Sequence, residues 1–277
     1  MQTTNISWAT YSWNPVTGCS HAGPECWNCY AETLHQQWAA RENPPAYVSG
    51  EEWTPQNAAE NVVMHPDRLD EPADYGFPEG PGRVFVGSMT DMFHDEVDPG
   101  FVQRVLDACR RHPEHVWIWL TKRPQNAAEW RLDWPANCWL GCSCGSGPGG
   151  EYPATTHRIE QLRDVDVATK WVSAEPLIEP LGEIALDHID WLVVGGESGS
   201  ADVRREMEHK WARDLLRQAR EQDVAFYFKQ DSGPFQDSLT ALTVEQEYGD
   251  LVTYQQREIR EYPPLPDVTK AARERDR

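Results

Sequence analysis

Three cysteines stand close together near the start of the chain: Cys19, Cys26 and Cys29. Six residues separate the first pair and two separate the second, on a loop rich in Gly and Pro. Thiolates clustered in this way are ligands for a soft metal centre. Three of them suffice for a [4Fe–4S] cluster with a non-protein ligand on the fourth iron, whereas zinc needs a fourth ligand or water. The spacing therefore predicts a metal site with one position left open.

Two metals fit this pattern. Either His21 or His94 could complete a zinc shell with the three thiolates. There is no second Cys-x-x-Cys pair in the sequence to close a structural zinc ribbon, which favours the iron–sulfur cluster. Three further cysteines, Cys138, Cys142 and Cys144, occupy one predicted strand, and small buried side chains are the simpler interpretation of them.

The amino-acid composition indicates which partners the protein can have, but says little about the reaction. The 277 residues include 45 acidic and 25 basic ones, which gives a net charge of -20, and only five of the basic residues are lysines. Such a chain repels a phosphate backbone over most of its surface, and scattered acids are typical of a halophilic host. Seven cysteines without a secretion signal or an apolar membrane span predict a cytoplasmic protein that does not contact a membrane.

Strands and helices alternate from residue 83 onwards. Apolar strand patterns at 83–88, 115–122, 137–144, 170–175, 189–196 and 224–229 are separated by amphipathic helices, the clearest at 99–111 and 209–221. The alternation predicts an α/β fold with a full or partial (β/α) barrel of parallel strands, and the doubly wound sheet is the alternative. Residues 1–233 are expected to form this single domain, followed by a peripheral C-terminal extension at 234–277.

Polar residues follow these strands where the strands end. Because the carboxyl ends of parallel strands meet at one face, these side chains are expected to converge on the cysteine loop. Glu175 and Glu197 would face the enclosed mouth. Lys122 and Lys229 would bind an anionic group of a ligand or form structural ion pairs with those glutamates. Gly87, Ser88 and Asp91 lie at another strand end, where an Asx turn or a capping box is the alternative role of Asp91.

Several motifs together resemble a known family. They are Trp13-Asn14-Pro15-Val16-Thr17-Gly18-Cys19 with Cys26 and Cys29, Val86-Gly87-Ser88-Met89-Thr90-Asp91, Leu120-Thr121-Lys122-Arg123-Pro124, Ser173-Ala174-Glu175-Pro176, Gly195-Gly196-Glu197-Ser198 and Phe228-Lys229-Gln230. Their order resembles the phage-associated three-cysteine-motif family of unknown function, which is itself similar to radical S-adenosylmethionine (SAM) enzymes. The usual cysteine spacing of those enzymes is three and two rather than six and two. The stretch from Gly145 to Gly150 matches no motif.

The resemblance implies roles for the residues already singled out. Cys19, Cys26 and Cys29 would hold a [4Fe–4S] cluster whose fourth iron binds SAM, and cleavage of SAM would give a 5′-deoxyadenosyl radical. Tyr30, Ser88, Asp91, Lys122 and Glu197 would contact the cofactor, with ordinary packing as the alternative role of Tyr30. Glu175 and Lys229 would be catalytic.

Three functions are consistent with these features. The first is a radical SAM-type enzyme of unknown substrate, supplied by an electron-donor protein. The second is a non-catalytic zinc- or cluster-stabilised protein that is phage- or defence-associated and acts with a partner protein of the three-cysteine-motif kind. The third is a special case of the first, an enzyme that modifies or repairs nucleic acid, although the net charge does not favour nucleic-acid binding.

Overall fold

The computed structural model describes residues 1–248 and 251–265. The strands are β1 Gln2–Thr3, β2 Tyr11–Trp13, β3 Val16–Thr17, β4 Val63–Met64, β5 Arg83–Val86, β6 Val116–Thr121, β7 Cys138–Ser143, β8 Thr169–Ala174, β9 Trp191–Gly195, β10 Ala225–Gln230, β11 Leu242–Tyr248 and β12 Leu251–Arg257. The centre of the molecule is an eight-stranded sheet in the order β1-β2-β5-β6-β7-β8-β9-β10. The α-helices are α1 Tyr30–Ala39, α2 Ala58–Asn61, α3 Glu71–Asp74, α4 Pro99–Arg111, α5 Pro124–Glu129, α6 His157–Arg163 and α7 His209–Glu221.

The main sheet follows the order of the chain. Every neighbouring pair from β2 to β10 is parallel, and only β1 runs antiparallel to its neighbour. A doubly wound sheet requires a point at which the strand order reverses, and this sheet has none among its described strands. The α/β class is therefore confirmed, and the doubly wound alternative is wrong.

The helices form where the sequence supplies start signals and an apolar stripe. Asp98 caps α4 by accepting a hydrogen bond from the backbone N–H of Phe101 at 2.8 Å, and Pro99 occupies the first turn. The apolar side chains of α4, α6 and α7 pack on one face of the sheet, against Val84, Trp117 and their neighbours.

The opposite face of the sheet carries a second, aromatic core, named here the inner aromatic layer. Its members are Ile6, Trp8, Ala9, Phe85, Val116, Ile118, Trp139, Trp171, Trp191, Val193 and Tyr227. The ring of Trp8 lies 4.8 Å from that of Phe85 on β5 and 5.5 Å from that of Trp171 on β8. Since β6 and β7 lie between those strands, the sheet must curve around Trp8.

Close packing in this layer depends on Gly141. A Cβ at that position would lie 2.3 Å from the indole of Trp171, which fills the space beside β7. The sheet is curved but not closed, because no pairing joins its edge strands β1 and β10 within the described residues. The expectation of a full barrel is therefore not confirmed.

The last described residues return to the sheet. Glu261 N–H donates to Phe226 O at 3.0 Å, and the indole N–H of Trp191 donates to Glu261 O at 2.8 Å. The division at residue 233 stays a prediction, and the tail from residue 266 lies outside the described residues. Within the described part of the chain, no helix has both the length and the apolar character needed to cross a bilayer.

Candidate functional site

One cavity opens at the carboxyl ends of the strands. All ten residues singled out from the sequence line it: Cys19, Cys26, Cys29, Tyr30, Ser88, Asp91, Lys122, Glu175, Glu197 and Lys229. Trp8, Phe85 and Leu120, which belong to the inner aromatic layer or pack against it, also line the cavity. Side chains that are far apart in the sequence thus share one partly apolar enclosure. What each of them does there remains a prediction.

The cysteine loop is attached to the segment that follows β5. Gly18 has a φ of 82°, and its N–H donates to Met89 O at 2.9 Å. The hydroxyl of Thr90 donates to Gly18 O at 2.6 Å. A Cβ on Gly18 would lie 1.8 Å from Asn61 O, so only glycine fits this turn. These contacts place Cys19 at the rim of the cavity.

The three thiols have donors beside them. Ala22 N–H donates to Cys26 Sγ at 3.4 Å, and Arg123 Nη1 lies 3.9 Å from Cys19 Sγ. Burial raises the pKa of Cys19 to about 12 and also raises the pKa of Cys29. The thiols of Cys19 and Cys29 are therefore protonated at neutral pH, and a metal would have to displace their protons. In the described chain, no group of three or more His, Cys, Asp or Glu side chains is arranged to hold a single metal ion.

The two histidines considered as zinc ligands have other partners. His21 Nε2 lies 2.6 Å from Glu32 Oε2. His94 Nδ1 accepts a hydrogen bond from Glu96 N–H at 3.1 Å, and its Nε2 lies 2.8 Å from the hydroxyl of Ser20. Burial lowers the pKa of His94 to about 4, so its ring is neutral. Either histidine would have to leave these partners to bind zinc.

Asp91 is saturated by hydrogen bonds from the protein. Its Oδ1 accepts from Thr121 Oγ1 at 2.7 Å and from Phe93 N–H at 3.1 Å, which is an Asx turn. Its Oδ2 accepts from Lys122 N–H at 2.9 Å and from Arg123 Nη1 at 3.2 Å. Although burial opposes ionisation, these donors hold the pKa of Asp91 below its usual value. Its observed contacts match the Asx-turn alternative and orient Arg123.

Glu197 is also engaged by an arginine. Its carboxylate accepts from Arg205 at both oxygens and from Asn28 Nδ2 at 3.0 Å. Arg205 Nη1 then donates to Pro24 O at 2.9 Å. Glu197 therefore connects the end of β9 to the cysteine loop on both sides of Cys26.

Glu175 and Lys229 form an ion pair inside the cavity. The distance from Lys229 Nζ to Glu175 Oε1 is 3.0 Å, and each side chain is 14% exposed. The structural ion pair expected as an alternative for Lys229 is thus present. Lys122 differs, because its ammonium has no hydrogen-bond or ion-pair partner among the described residues, and it carries its charge towards Cys26 and Cys29.

Tyr30 and Ser88 meet at the other side of the cavity. The hydroxyl of Tyr30 donates to Ser88 O at 2.5 Å, and Tyr30 is 38% exposed. The hydroxyl of Ser88 exchanges hydrogen bonds with the amide of Asn14 at 3.1 and 3.2 Å. These contacts connect the start of α1 to the ends of β2 and β5.

Sequence reasoning missed the arginines of the site. Arg123, Arg158 and Arg205 each bind a carboxylate and a backbone carbonyl of the cysteine loop. Arg123 stands in a motif already quoted, directly after Lys122 at a strand end, and this position was the available signal. Arg158 and Arg205 lie outside those motifs, with no local pattern that marks them.

Comparisons with known proteins give one family and a set of distant structural likenesses. Spore photoproduct lyase complexed with dinucleoside spore photoproduct has 11% sequence identity and a TM-score of 0.39, over 92% of this chain and 71% of that chain. A mutant of the same lyase with the dinucleoside has 11% identity and a TM-score of 0.41, over 92% and 70%. No curated protein matches the sequence. The model of a family described as "Protein of unknown function (DUF5131)" matches residues 3–263, and the chain therefore belongs to the DUF5131 family.

Proposed function

We propose that this protein is a radical SAM-type enzyme built on a partial (β/α) barrel. Cys19, Cys26 and Cys29 would hold a [4Fe–4S] cluster, and SAM would bind beside it in the same cavity. When bound, such a cluster supplies an electron that cleaves SAM into methionine and a 5′-deoxyadenosyl radical. One observation carries the proposal: three thiols of a single loop line the same cavity as the polar residues at the ends of the parallel strands.

The surroundings of the thiols fit a cluster chemically. Thiolates on iron are stabilised by hydrogen-bond donors and by nearby positive charge. Ala22 N–H is a donor to Cys26 Sγ, and Arg123 lies beside Cys19. The ammonium of Lys122 has no partner in the described part of the chain, and its charge acts on Cys26, Glu25 and Cys29. Lys122 is therefore the residue best placed to attract an anionic group of a ligand. Asp91 and Glu197 would act through their arginines instead of touching the cofactor.

The ion pair of Glu175 and Lys229 is the proposed catalytic pair. Both side chains line the cavity, whose apolar floor includes Trp8 and Phe85. A low-dielectric floor strengthens the interaction between the two charges and any interaction with a substrate. Lys229 Nζ could donate a hydrogen bond to a substrate oxygen, and Glu175 Oε1 could accept a proton from the substrate. Tyr30 would close the side of the cavity and limit the access of water.

Metal analysis of anaerobically purified protein is the decisive test. We expect a brown protein with about four irons per chain, and formation of 5′-deoxyadenosine from SAM after reduction with dithionite. Cys29→Ala should abolish both iron binding and SAM cleavage while the protein stays folded. Cys109→Ala is the matched control, because Cys109 is buried in the core between the sheet and its helices and should not affect iron binding.

Zinc would give the opposite results. A colourless protein with stoichiometric zinc after anaerobic reconstitution would refute the radical SAM proposal and support the non-catalytic, phage- or defence-associated binding protein. In that case Cys29→Ala should unfold the chain, because a structural metal contributes its binding energy to folding.

The substrate and the partners require a separate experiment. We propose an electron-donor protein as the source of the electron, and a nucleic-acid substrate is a special case of the enzyme. SAM turnover should then depend on added DNA or RNA and persist at high salt, where non-specific binding is lost. Turnover that no nucleic acid stimulates would exclude that substrate class.

A further inference from the structure

Glu25 lies between the first two cysteines and points into the protein. Its side chain is fully buried and accepts hydrogen bonds at Oε1 from the hydroxyl of Thr155 at 2.6 Å and from Gly145 N–H at 2.8 Å. Arg158 Nη1 lies 3.3 Å from the same oxygen and is also buried. A residue of the cysteine loop is thus fixed beneath the loop.

Arg158 connects this carboxylate to a thiol. Its Nη2 donates to Ala22 O at 2.8 Å, and its Nη1 donates to Ser143 O at the end of β7 at 2.8 Å. The N–H of Ala22 donates in turn to Cys26 Sγ at 3.4 Å. A continuous set of hydrogen bonds therefore runs from the end of β7 to the sulfur of Cys26.

The segment after β7 is shaped to receive Glu25. A Cβ on Gly145 would lie 2.1 Å from Pro176 O and 2.8 Å from Glu25 Cγ, so a side chain there would push Glu25 out. Two sequence features without a role, the six-residue spacing from Cys19 to Cys26 and the stretch that begins at Gly145, meet at this contact.

Stability alone does not account for this arrangement. Glu25 Oε2 is buried and has no hydrogen-bond partner among the described residues. A buried ion pair with an unsatisfied oxygen costs desolvation energy that an apolar pair of the same size would avoid. Such a pair can nevertheless fix one geometry, because each of its donors has a set direction.

We infer that Glu25 and Arg158 are positioning residues for the three-thiol site, which bring Cys26 and Cys29 to Cys19 across the widened spacing. Gly145 and Thr155 complete the receptor for Glu25. The inference rests on the proposed function only for the identity of the metal, since it concerns where the sulfurs lie.

The test begins with the metal-free protein and the thiol-bridging reagent dibromobimane. Bridged peptides are identified by mass, and the Cys19–Cys26 bridge is measured relative to the Cys26–Cys29 bridge. Glu25→Gln keeps the size of the side chain and removes its charge, and Thr155→Val removes one donor. Both should lower this ratio several-fold, because the second bridge lies within one turn and does not depend on Glu25. Arg158→Lys should restore part of the ratio relative to Arg158→Met.

The second measurement is iron retention after reconstitution with ferrous iron and sulfide. In Glu25→Gln, iron retention against a chelator should fall about tenfold, the scale of a lost outer-shell partner. Glu261→Gln is the control, because its carboxylate pairs with Arg220 and accepts from Phe226 N–H near the start of β10, the end opposite the cavity. This control variant should change neither the bridging ratio nor the iron retention.

The outcomes separate the two proposals. If Glu25→Gln and Thr155→Val lower only the melting temperature, and leave the bridging ratio and the iron per folded chain at the wild-type values, the positioning role is refuted. If the wild-type protein takes up no iron but the bridging ratio still responds to Glu25→Gln, the radical SAM proposal fails and the positioning role stands.

Discussion

At the scale of residues, the site is organised by arginine–carboxylate pairs around the thiols. Arg123 binds Asp91, Arg205 binds Glu197, and Arg158 binds Glu25. Sequence reasoning selected two of these carboxylates because they stand at strand ends. It could not select Arg158, since Arg158 and Glu25 are 133 positions apart and only the folded sheet brings them together. The same limit applies to Asp91, where the structure shows the Asx turn and the cofactor contact stays a prediction.

Removal of the charge of Asp91 should destabilise the protein. Asp91→Asn leaves Arg123 buried without its counter-ion, and we expect a loss of about 3 kcal/mol in the free energy of unfolding, measured by urea denaturation. Asp107→Asn is the control, because its ion pair with Arg110 is 46% exposed on the aspartate side and should cost less than about 1 kcal/mol.

The same variant should change the pH dependence of stability. The pKa of Asp91 is lower in the folded protein than in the unfolded chain, so its contribution is present above the usual value of about 3.9 and is lost as the pH falls towards the folded value. Between about pH 5 and pH 3, the wild-type protein should therefore lose more stability than Asp91→Asn. Equal slopes in this window would contradict the assigned ion pair.

At the scale of elements, the strength of the local signal decided what could be predicted. The helix expected at 99–111 coincides with Pro99–Arg111, and the one expected at 209–221 coincides with His209–Glu221, because both have an apolar stripe. The two-residue strands β1 and β3 and the polar hairpin of β11 and β12 were not predicted. Pairing partners define β1 and β3, and no local pattern does.

The turn at Gly18 gives a prediction at this scale. Gly18→Ala should displace the cysteine loop, because the new Cβ would collide with Asn61 O and the positive φ adds strain. Gly76→Ala is a matched control, since Gly76 has a φ of 71° but nothing within 4 Å of its Cβ position. The control should cost about 1 kcal/mol, the strain alone, and Gly18→Ala clearly more. Similar melting temperatures for the two variants would contradict this prediction, because they would show that the backbone around Gly18 shifts to accommodate the new Cβ.

At the scale of the whole molecule, alternation of strands and helices was enough to predict a parallel α/β sheet in chain order. It was not enough to predict whether the sheet closes, because closure depends on how the edge strands β1 and β10 are placed, and their local sequences say little about that. Glu175, Lys229 and the cysteines line one cavity, and their functional roles there stay predictions.

The net charge of -20 predicts a response to salt. Repulsion between the excess acids destabilises the folded chain, and it is screened as the Debye length falls from about 10 Å at 0.1 M to about 3 Å at 1 M salt. We expect the melting temperature to rise with KCl over this range. A melting temperature that is constant or falls would show that the ion pairs already balance the surface charge.

The inner aromatic layer has an optical consequence. Trp8 belongs to this layer and also lines the cavity, so an indole chromophore borders the same cavity as the three thiols. Iron–sulfur centres absorb broadly through the near ultraviolet and visible regions and accept excitation energy from neighbouring indoles. Binding of the proposed cluster should therefore quench the tryptophan emission, and its destruction by air should restore the emission. The intensity of the tryptophan emission would thus report what fraction of the protein carries the cluster, without substrate or turnover.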